Sequence, residues 1–125
     1  MHVLLADDDK ATRDLAARAL ETQGHTVTVC EDGTAAAGAL QALGQSVDLI
    51  ITDVEMPGMG GAEFGAKALE AHPAVRILLI SGFEAELEKA RSALSAFSAS
   101  AKQPVTLMKP FTLAQLRTAV EDAQS

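Results

Sequence analysis

A chain of 125 residues, 48% of them apolar, can form one domain with a real core, on the usual scale of roughly 100 to 200 residues per domain, and leaves no room for a second catalytic or DNA-binding domain. Seventeen acidic against 10 basic residues, a formal charge of -7, oppose direct contact with nucleic-acid phosphates or anionic membranes. A single cysteine excludes an internal disulfide and a multi-thiolate zinc site, which fits a reducing, cytoplasmic setting.

Met1 to Asp9 has no basic head or long apolar segment of a signal peptide, and reads instead as a first strand, His2 to Ala6, ending in three acids. A first helix follows over about Lys10 to Gln23, with Asp9 as N-cap, Leu15 and Leu20 on its apolar face and Gly24 as its stop. The second strand is His25 to Cys30, and the second helix, about Thr34 to Leu43, stops at Gly44. The third strand, Val47 to Thr52, and the fourth, Val75 to Ile80, are nearly continuous apolar runs, as parallel strands covered on both faces require. Even the run Ile77 to Ile80 is far shorter than the roughly 18 residues that span a bilayer.

Between these strands a helix over about Ala62 to Ala71 follows a glycine-rich loop and ends before Pro73. The fourth helix begins near Glu84, with Leu87, Ala90, Leu94 and Phe97 at helical spacing, and gives way to a loop over Ser98 to Pro104. The fifth strand is Val105 to Met108. The last helix opens with Thr112 and Gln115 at capping-box spacing and turns Leu113, Leu116 and Val120 inward. Five βα units with right-handed crossovers predict an α/β fold: a doubly wound, five-stranded parallel sheet flanked by five helices, with its crevice at the carboxyl ends of the strands.

Chemistry is therefore sought at that rim, where Asp7, Asp8 and Asp9 follow the first strand, Asp53 the third, Ser81 the fourth, and Lys109 with Pro110 the fifth. Taken singly, each has a structural explanation: Asp9 and Ser81 as helix caps, Asp7 and Asp8 as solvated loop acids, Lys109 as a surface lysine before a turn proline. Taken together they converge. Asp7, Asp8 and Asp53 would repel one another and raise their pKa values unless a cation intervened. An oxygen-only donor set without a histidine cluster favours Mg²⁺ over zinc. A lysine and a hydroxyl at the same rim suit a tetrahedral dianion, which points to phosphoryl chemistry with Asp53 as the phosphoryl acceptor, forming an acyl phosphate. The following Val54 to Gly61 turn can offer a backbone carbonyl to the metal.

These motifs resemble the receiver domain of two-component response regulators, the CheY-like branch of the flavodoxin-like folds, over essentially the whole chain. Leu-Leu-Ala-Asp-Asp-Asp matches the acidic pair at Asp7 and Asp8, Ile-Ile-Thr-Asp-Val-Glu-Met-Pro-Gly-Met-Gly-Gly the phosphorylation loop at Asp53, Ile-Ser-Gly the switch hydroxyl Ser81 with small Gly82 beside it, and Met-Lys-Pro-Phe the phosphate-binding Lys109. The resemblance implies a histidine kinase or histidine phosphotransferase as donor, and Mg²⁺ held by Asp8, Asp53 and the Glu55 carbonyl with Asp7 acting largely through water. It also implies a cis bond before Pro110, and a Glu55 that sets access of hydrolytic water and so the lifetime of the acyl phosphate. Catalysis would be limited to the domain's own phosphorylation and slow autodephosphorylation.

Two departures stand out. Thr106 occupies the strand position where the family carries a Tyr or Phe, so no ring can flip there. Ser81 and Lys109 are 28 residues apart (109 minus 81), a long interval. With Ile-Ser-Gly-Phe upstream and Lys-Pro-Phe-Thr-Leu downstream, this stretch is similar to the single-domain CpdR-type receivers of alphaproteobacteria, whose unphosphorylated form promotes regulated proteolysis by the ClpXP protease during the cell cycle. That resemblance implies a downstream protein target in the ClpX machinery and a monomer or weak dimer without an output domain; receivers of hybrid histidine kinases share several of these features. An alternative from another class is a haloacid-dehalogenase-like phosphatase, in which Asp7 of the Asp7-x-Asp9 pair would be the nucleophile, although no residues remain for a cap domain.

Other residues read as structure. His2, His25 and His72 are far apart and read as surface or strand residues, Cys30 packs at a strand end, and Met56, Met59 and Met108 fill irregular gaps. Phe111 is expected in the core; Phe83 and Phe97 are open between core and a partner surface.

Overall fold

The computed structural model describes residues 1–97 and 103–125. Five strands, β1 (His2–Ala6), β2 (Thr26–Cys30), β3 (Leu49–Asp53), β4 (Arg76–Ser81) and β5 (Val105–Met108), alternate with helices α1 (Lys10–Thr22), α2 (Gly33–Leu43), α3 (Gly61–Ala71), α4 (Glu84–Ser95) and α5 (Leu113–Gln124). All strand pairs are parallel, in the order β2-β1-β3-β4-β5. The order reverses at β1 and β3, so the crevice of a doubly wound sheet opens at the ends of those two strands.

β3 is buried at every position and β4 at all but Arg76, because helices cover both faces. Alternate residues accordingly divide between two cores. Leu4, Ile50, Ile77 and Leu79 pack with Leu40, Phe64, Leu87 and Leu94 from α2, α3 and α4. Val3, Leu5, Leu49, Ile51, Leu78 and Ile80 pack with Leu20, Leu116 and Val120 from α1 and α5. At about 1.5 to 3 kcal/mol for each fully buried large side chain, these two layers hold the rim in place.

The predicted elements are all present, with shifts at their ends. β3 and β4 begin at Leu49 and Arg76 rather than at Val47 and Val75, and run on to Asp53 and Ser81, which places both site residues inside the sheet ladder. β2 starts one residue after His25. Asp9 sits at the N-cap of α1 but its carboxylate caps no backbone N–H; it accepts from Thr12 Oγ1 at 2.5 Å, which holds its pKa below the usual carboxylate value. Asp32 does cap α2 by its side chain, accepting from the Ala35 N–H at 2.7 Å. The capping box of α5 forms as expected between Thr112 and Gln115.

Two apolar assignments fail. Leu15 and Leu113 are exposed, and Leu20 and Leu116 fill the core from those helix faces without them, since one stripe per helix suffices against a sheet already covered. Phe97, open between core and surface from the sequence, is exposed. Phe83 is exposed too, and Phe111 is half-buried at the edge of the second core. His72, expected at the surface or in a strand, is buried at the C-terminal end of α3, where its Nε2–H donates to the Val47 carbonyl at 3.0 Å. Cys30 is buried at the end of β2 as predicted, and Met56 and Met59 pack against the first core, whereas Met108 is exposed. Of the predicted loop over Ser98 to Pro104, residues 98–102 lie outside the described residues; Gln103 and Pro104 are irregular.

Candidate functional site

The carboxyl ends of four strands deliver the site. Asp7 follows β1 directly and is fully buried; its backbone N–H continues the ladder to the Cys30 carbonyl at 3.2 Å. Asp8, one residue on, is exposed. Asp53 ends β3 and is 5% exposed; Ser81 ends β4 and is fully buried. Lys109 follows β5, and its N–H donates to the Ser81 carbonyl at 2.8 Å, which fixes where its side chain departs. The Lys109-Pro110 peptide is cis.

Lys109 Nζ lies 2.9 Å from Asp53 Oδ2 and 2.9 Å from Asp7 Oδ2. With Asp53 it makes a directed hydrogen bond; with Asp7 the contact is ionic, and the buried Asp7 Oδ2 has no directed donor among the described residues. The other Asp7 oxygen accepts from the Asp9 N–H at 2.8 Å, and Asp53 Oδ1 accepts from the Glu55 N–H at 3.2 Å. One ammonium thus faces two buried carboxylates.

The charge arithmetic shows in Asp53. Burial raises its pKa most, the hydrogen bond from Lys109 opposes this, the nearby Asp7 carboxylate raises it again, and the result is pushed up to about 6. For Lys109 burial acts downward, but the hydrogen bond to Asp53 and the close contact with the Asp7 carboxylate together outweigh it, so its pKa is raised and the ammonium persists through the neutral range.

Asp7, Asp8 and Asp53 each bring one carboxylate oxygen within 4.8 Å of the others. A hard divalent cation fits this group: the donors are all oxygen, one buried oxygen lacks a directed donor, and a second positive charge would relieve the repulsion that one lysine leaves in place.

The turn after β3 is shaped for closeness. Gly58 has φ +74°, and a Cβ on Gly61 would sit 2.3 Å from the Asp53 carbonyl oxygen, so only glycine lets α3 start directly behind β3. Glu55 is exposed in this turn, and its carboxylate accepts from the Ser81 hydroxyl at 2.7 Å. Ser81 Oγ in turn accepts from the Phe83 N–H at 3.0 Å, ahead of α4 rather than within it, so it is not a side-chain cap of the helix proper. Gly82 leaves open space beside Ser81. Thr106 is half-buried on the edge strand, beside a groove of about 350 Å³ between β5 and α5.

All the predicted site residues except Thr106 therefore meet at one rim. Two contacts had no signal in the sequence. The Glu55 side chain, expected only to govern water, engages Ser81. Arg13, on the second turn of α1, donates from Nη1 to the Asp7 carbonyl at 2.9 Å and braces the loop that carries the acids.

The family model of the response regulator receiver domain matches residues 3–121 of this chain. The chain belongs to that family. Receivers are phosphoacceptor signalling domains, and membership sets aside the phosphatase alternative, in which Asp7 would be the nucleophile; the Asp9 carboxylate of that pair is engaged by Thr12. Among relatives, the receiver protein CpdR of Brucella abortus (strain 2308) is 35% identical over 119 residues, covering 95% of this receiver and 92% of CpdR. The sensor kinase CckA of the same organism is 37% identical over 120 residues, 96% of this receiver but 12% of CckA. Among solved structures, the chemotaxis protein CheY4 of Vibrio cholerae superposes with a TM-score of 0.82 at 26% identity, covering 98% of this chain and 97% of that one. The receiver domain of the hybrid histidine kinase CckA superposes with a TM-score of 0.80 at 26% identity and full coverage of both. Among the described residues no helix is long and apolar enough to cross a membrane.

Proposed function

We propose that this receiver is a phosphorylation-controlled binding module in which Asp53 accepts a phosphoryl group from a phosphohistidine on a histidine kinase or histidine phosphotransferase. The observation that carries this reading is the position of Lys109 Nζ, 2.9 Å from carboxylates of both Asp53 and Asp7. An Asp53 oxygen attacks phosphorus, an O–P bond forms, and the N–P bond to the donor imidazole breaks. Lys109 pairs with a phosphoryl oxygen once the charge arrives, and the Glu55 N–H and Lys109 together orient the Asp53 carboxylate beforehand. Asp7, Asp8, Asp53 and the Glu55 carbonyl would hold Mg²⁺, which when bound neutralises charge developing on the transferred group. The Ser81 hydroxyl then turns to the phosphoryl group and biases a two-state rearrangement of α4 and β5, with Gly82 giving it room. Thr106 has no ring to follow that movement, so the readout runs through the backbone and surface around it. Water access beside Glu55 sets the slow autodephosphorylation.

The matched length of CpdR supports a single-domain regulator, acting as a monomer or weak dimer in the cytoplasm and altering the affinity of a downstream protein, with the ClpX protease machinery as the first partner to test. The similarity to CckA supports a second reading, the receiver portion of a hybrid histidine kinase.

The test is incubation with Mg²⁺ and acetyl phosphate, followed by borohydride reduction and mass spectrometry. A label at Asp53 that disappears in Asp53→Asn is expected; a label at Asp7 would return the phosphatase alternative. A pull-down comparing wild type with Asp53→Ala then identifies the partner, and retention of ClpX equally by both proteins would argue against phosphorylation control of that contact.

A further inference from the structure

A serine hydroxyl has one proton to give and two lone pairs to receive. At Ser81 the proton goes to Glu55 Oε1 at 2.7 Å, and a lone pair takes the Phe83 N–H at 3.0 Å. In this state the hydroxyl has nothing to donate to an anion on Asp53. The residue that occupies it also touches Asp53: the Glu55 backbone N–H donates to Asp53 Oδ1 at 3.2 Å. One residue therefore contacts the acceptor carboxylate with its main chain and Ser81 with its side chain.

Ser81 is fully buried and its backbone belongs to the β4–β5 ladder, so what is free to change is its side-chain bond. Beyond the adjoining residues nothing lies within 4 Å of where a Cβ on Gly82 would be, so the turn after β4 leaves space beside that hydroxyl. Glu55 is exposed, so its carboxylate can return to water when the bond breaks, without the penalty a buried charge would suffer. A charged acceptor makes the bond stronger than a neutral one while it lasts.

We propose that the Glu55 carboxylate is a latch on Ser81, holding its hydroxyl proton in the unphosphorylated state so that an anion on Asp53 must break this bond before Ser81 can engage it. The proposal rests on the reading of Asp53 as phosphoacceptor and adds a restraint on switching distinct from the control of hydrolytic water. Glu55 is in this sense a positioning residue that sets the threshold of the switch.

The experiment is a titration of the full chain with beryllofluoride at saturating Mg²⁺, followed by NMR signals of Ser81 and Gly82, in wild type, Glu55→Ala, Glu55→Gln, Ser81→Ala and the double variant Glu55→Ala/Ser81→Ala. Glu55→Ala should tighten binding about five- to tenfold, the scale of one net hydrogen bond. Glu55→Gln keeps an acceptor in place and should shift it less. In the Ser81→Ala background, Glu55→Ala should change affinity by less than about twofold, the signature of a pairwise interaction. An equal tightening in both backgrounds would mean that Glu55 acts by charge on the anion and would overturn the latch alone, as would an unchanged affinity in Glu55→Ala. Failure of wild type to take beryllofluoride at Asp53 would instead remove the phosphoacceptor reading, and the latch with it.

Discussion

The two ends of the same sheet treat buried polar groups in opposite ways. At the amino ends of the strands the buried His72 donates to the neutral Val47 carbonyl, and beside it the backbone N–H groups of exposed Asp48 and half-buried Arg76 go to the His2 and Asp48 carbonyls, although one further side-chain atom each of His72 and Arg76 has no partner among the described residues. At the carboxyl ends two buried carboxylates share one ammonium, and Asp53 is pushed up to about 6. Hydrogen bonding to backbone stabilises a fold at little risk, whereas close like charges are costly until a cation or anion arrives to complete the balance. One end is built for stability and the other stores an imbalance that a ligand can relieve.

Removing the ammonium tests this contrast most severely. Lys109→Ala should lower stability by about 2 to 3 kcal/mol without divalent cations, below the full penalty for breaking a buried pair because the lysine side chain retains 22% exposure. Added Mg²⁺ should restore part of the loss, and Mg²⁺ affinity should fall far less than in Asp8→Ala. Urea unfolding with and without Mg²⁺ reads both; a loss of Mg²⁺ affinity as large as in Asp8→Ala would contradict the division between metal ligands and lysine.

Asp53→Asn should move stability the other way, by about 1 to 2 kcal/mol upward near pH 8 in chelator, because the ionised carboxylate it removes is held at a penalty. The sign follows from the raised pKa: between 3.8 and about 6 the folded state binds the proton more tightly than the unfolded one, so this group's contribution to stability declines as pH rises through that window and is flat above it. Wild type should show that decline and Asp53→Asn should not; parallel pH profiles for the two proteins would locate the strain elsewhere.

The opposite end gives the matched control. His72→Ala should destabilise by about 1 to 2 kcal/mol through the lost bond to the Val47 carbonyl, independently of Mg²⁺ and with unchanged cation affinity. Smallest is Thr112→Ala, which opens the capping box of α5 at the charged end without touching the charges: about 1 kcal/mol in thermal unfolding, and no dependence on Mg²⁺. A cation-dependent effect in either variant would blur the distinction between the two ends.

Most of the fold was legible because the strands that matter are apolar on both faces and are separated by helices with glycine or proline stops. Helix faces were less so. Leu15 and Leu113 fit an apolar stripe, yet Leu20 and Leu116 take the core, because the stripe admits more than one alignment and only the neighbouring sheet selects it. The burial of His72 leaves no local mark, since its partner, the Val47 carbonyl, lies 25 residues away in the chain. At the rim, Asp7, Asp8, Asp53, Ser81 and Lys109 could be identified because each follows or ends a strand, and parallel topology sends all such positions to one side. The engagement of Ser81 by Glu55 and of the Asp7 carbonyl by Arg13 could not, since each depends on rotamers chosen by surroundings that the chain assembles from separate elements.

By itself the sequence determined the order of elements, the parallel sheet and the side of it on which acids, hydroxyl and lysine gather, because hydrophobic period and strand-end position are local properties. Only the tertiary structure decided how those groups divide their charges and protons: that one ammonium lies equally close to two carboxylates, that Asp53 is hard to ionise, and that the Ser81 proton is already committed. Electrostatic and hydrogen-bond balances depend on distance and burial, and both are set only when segments far apart in the chain are brought together.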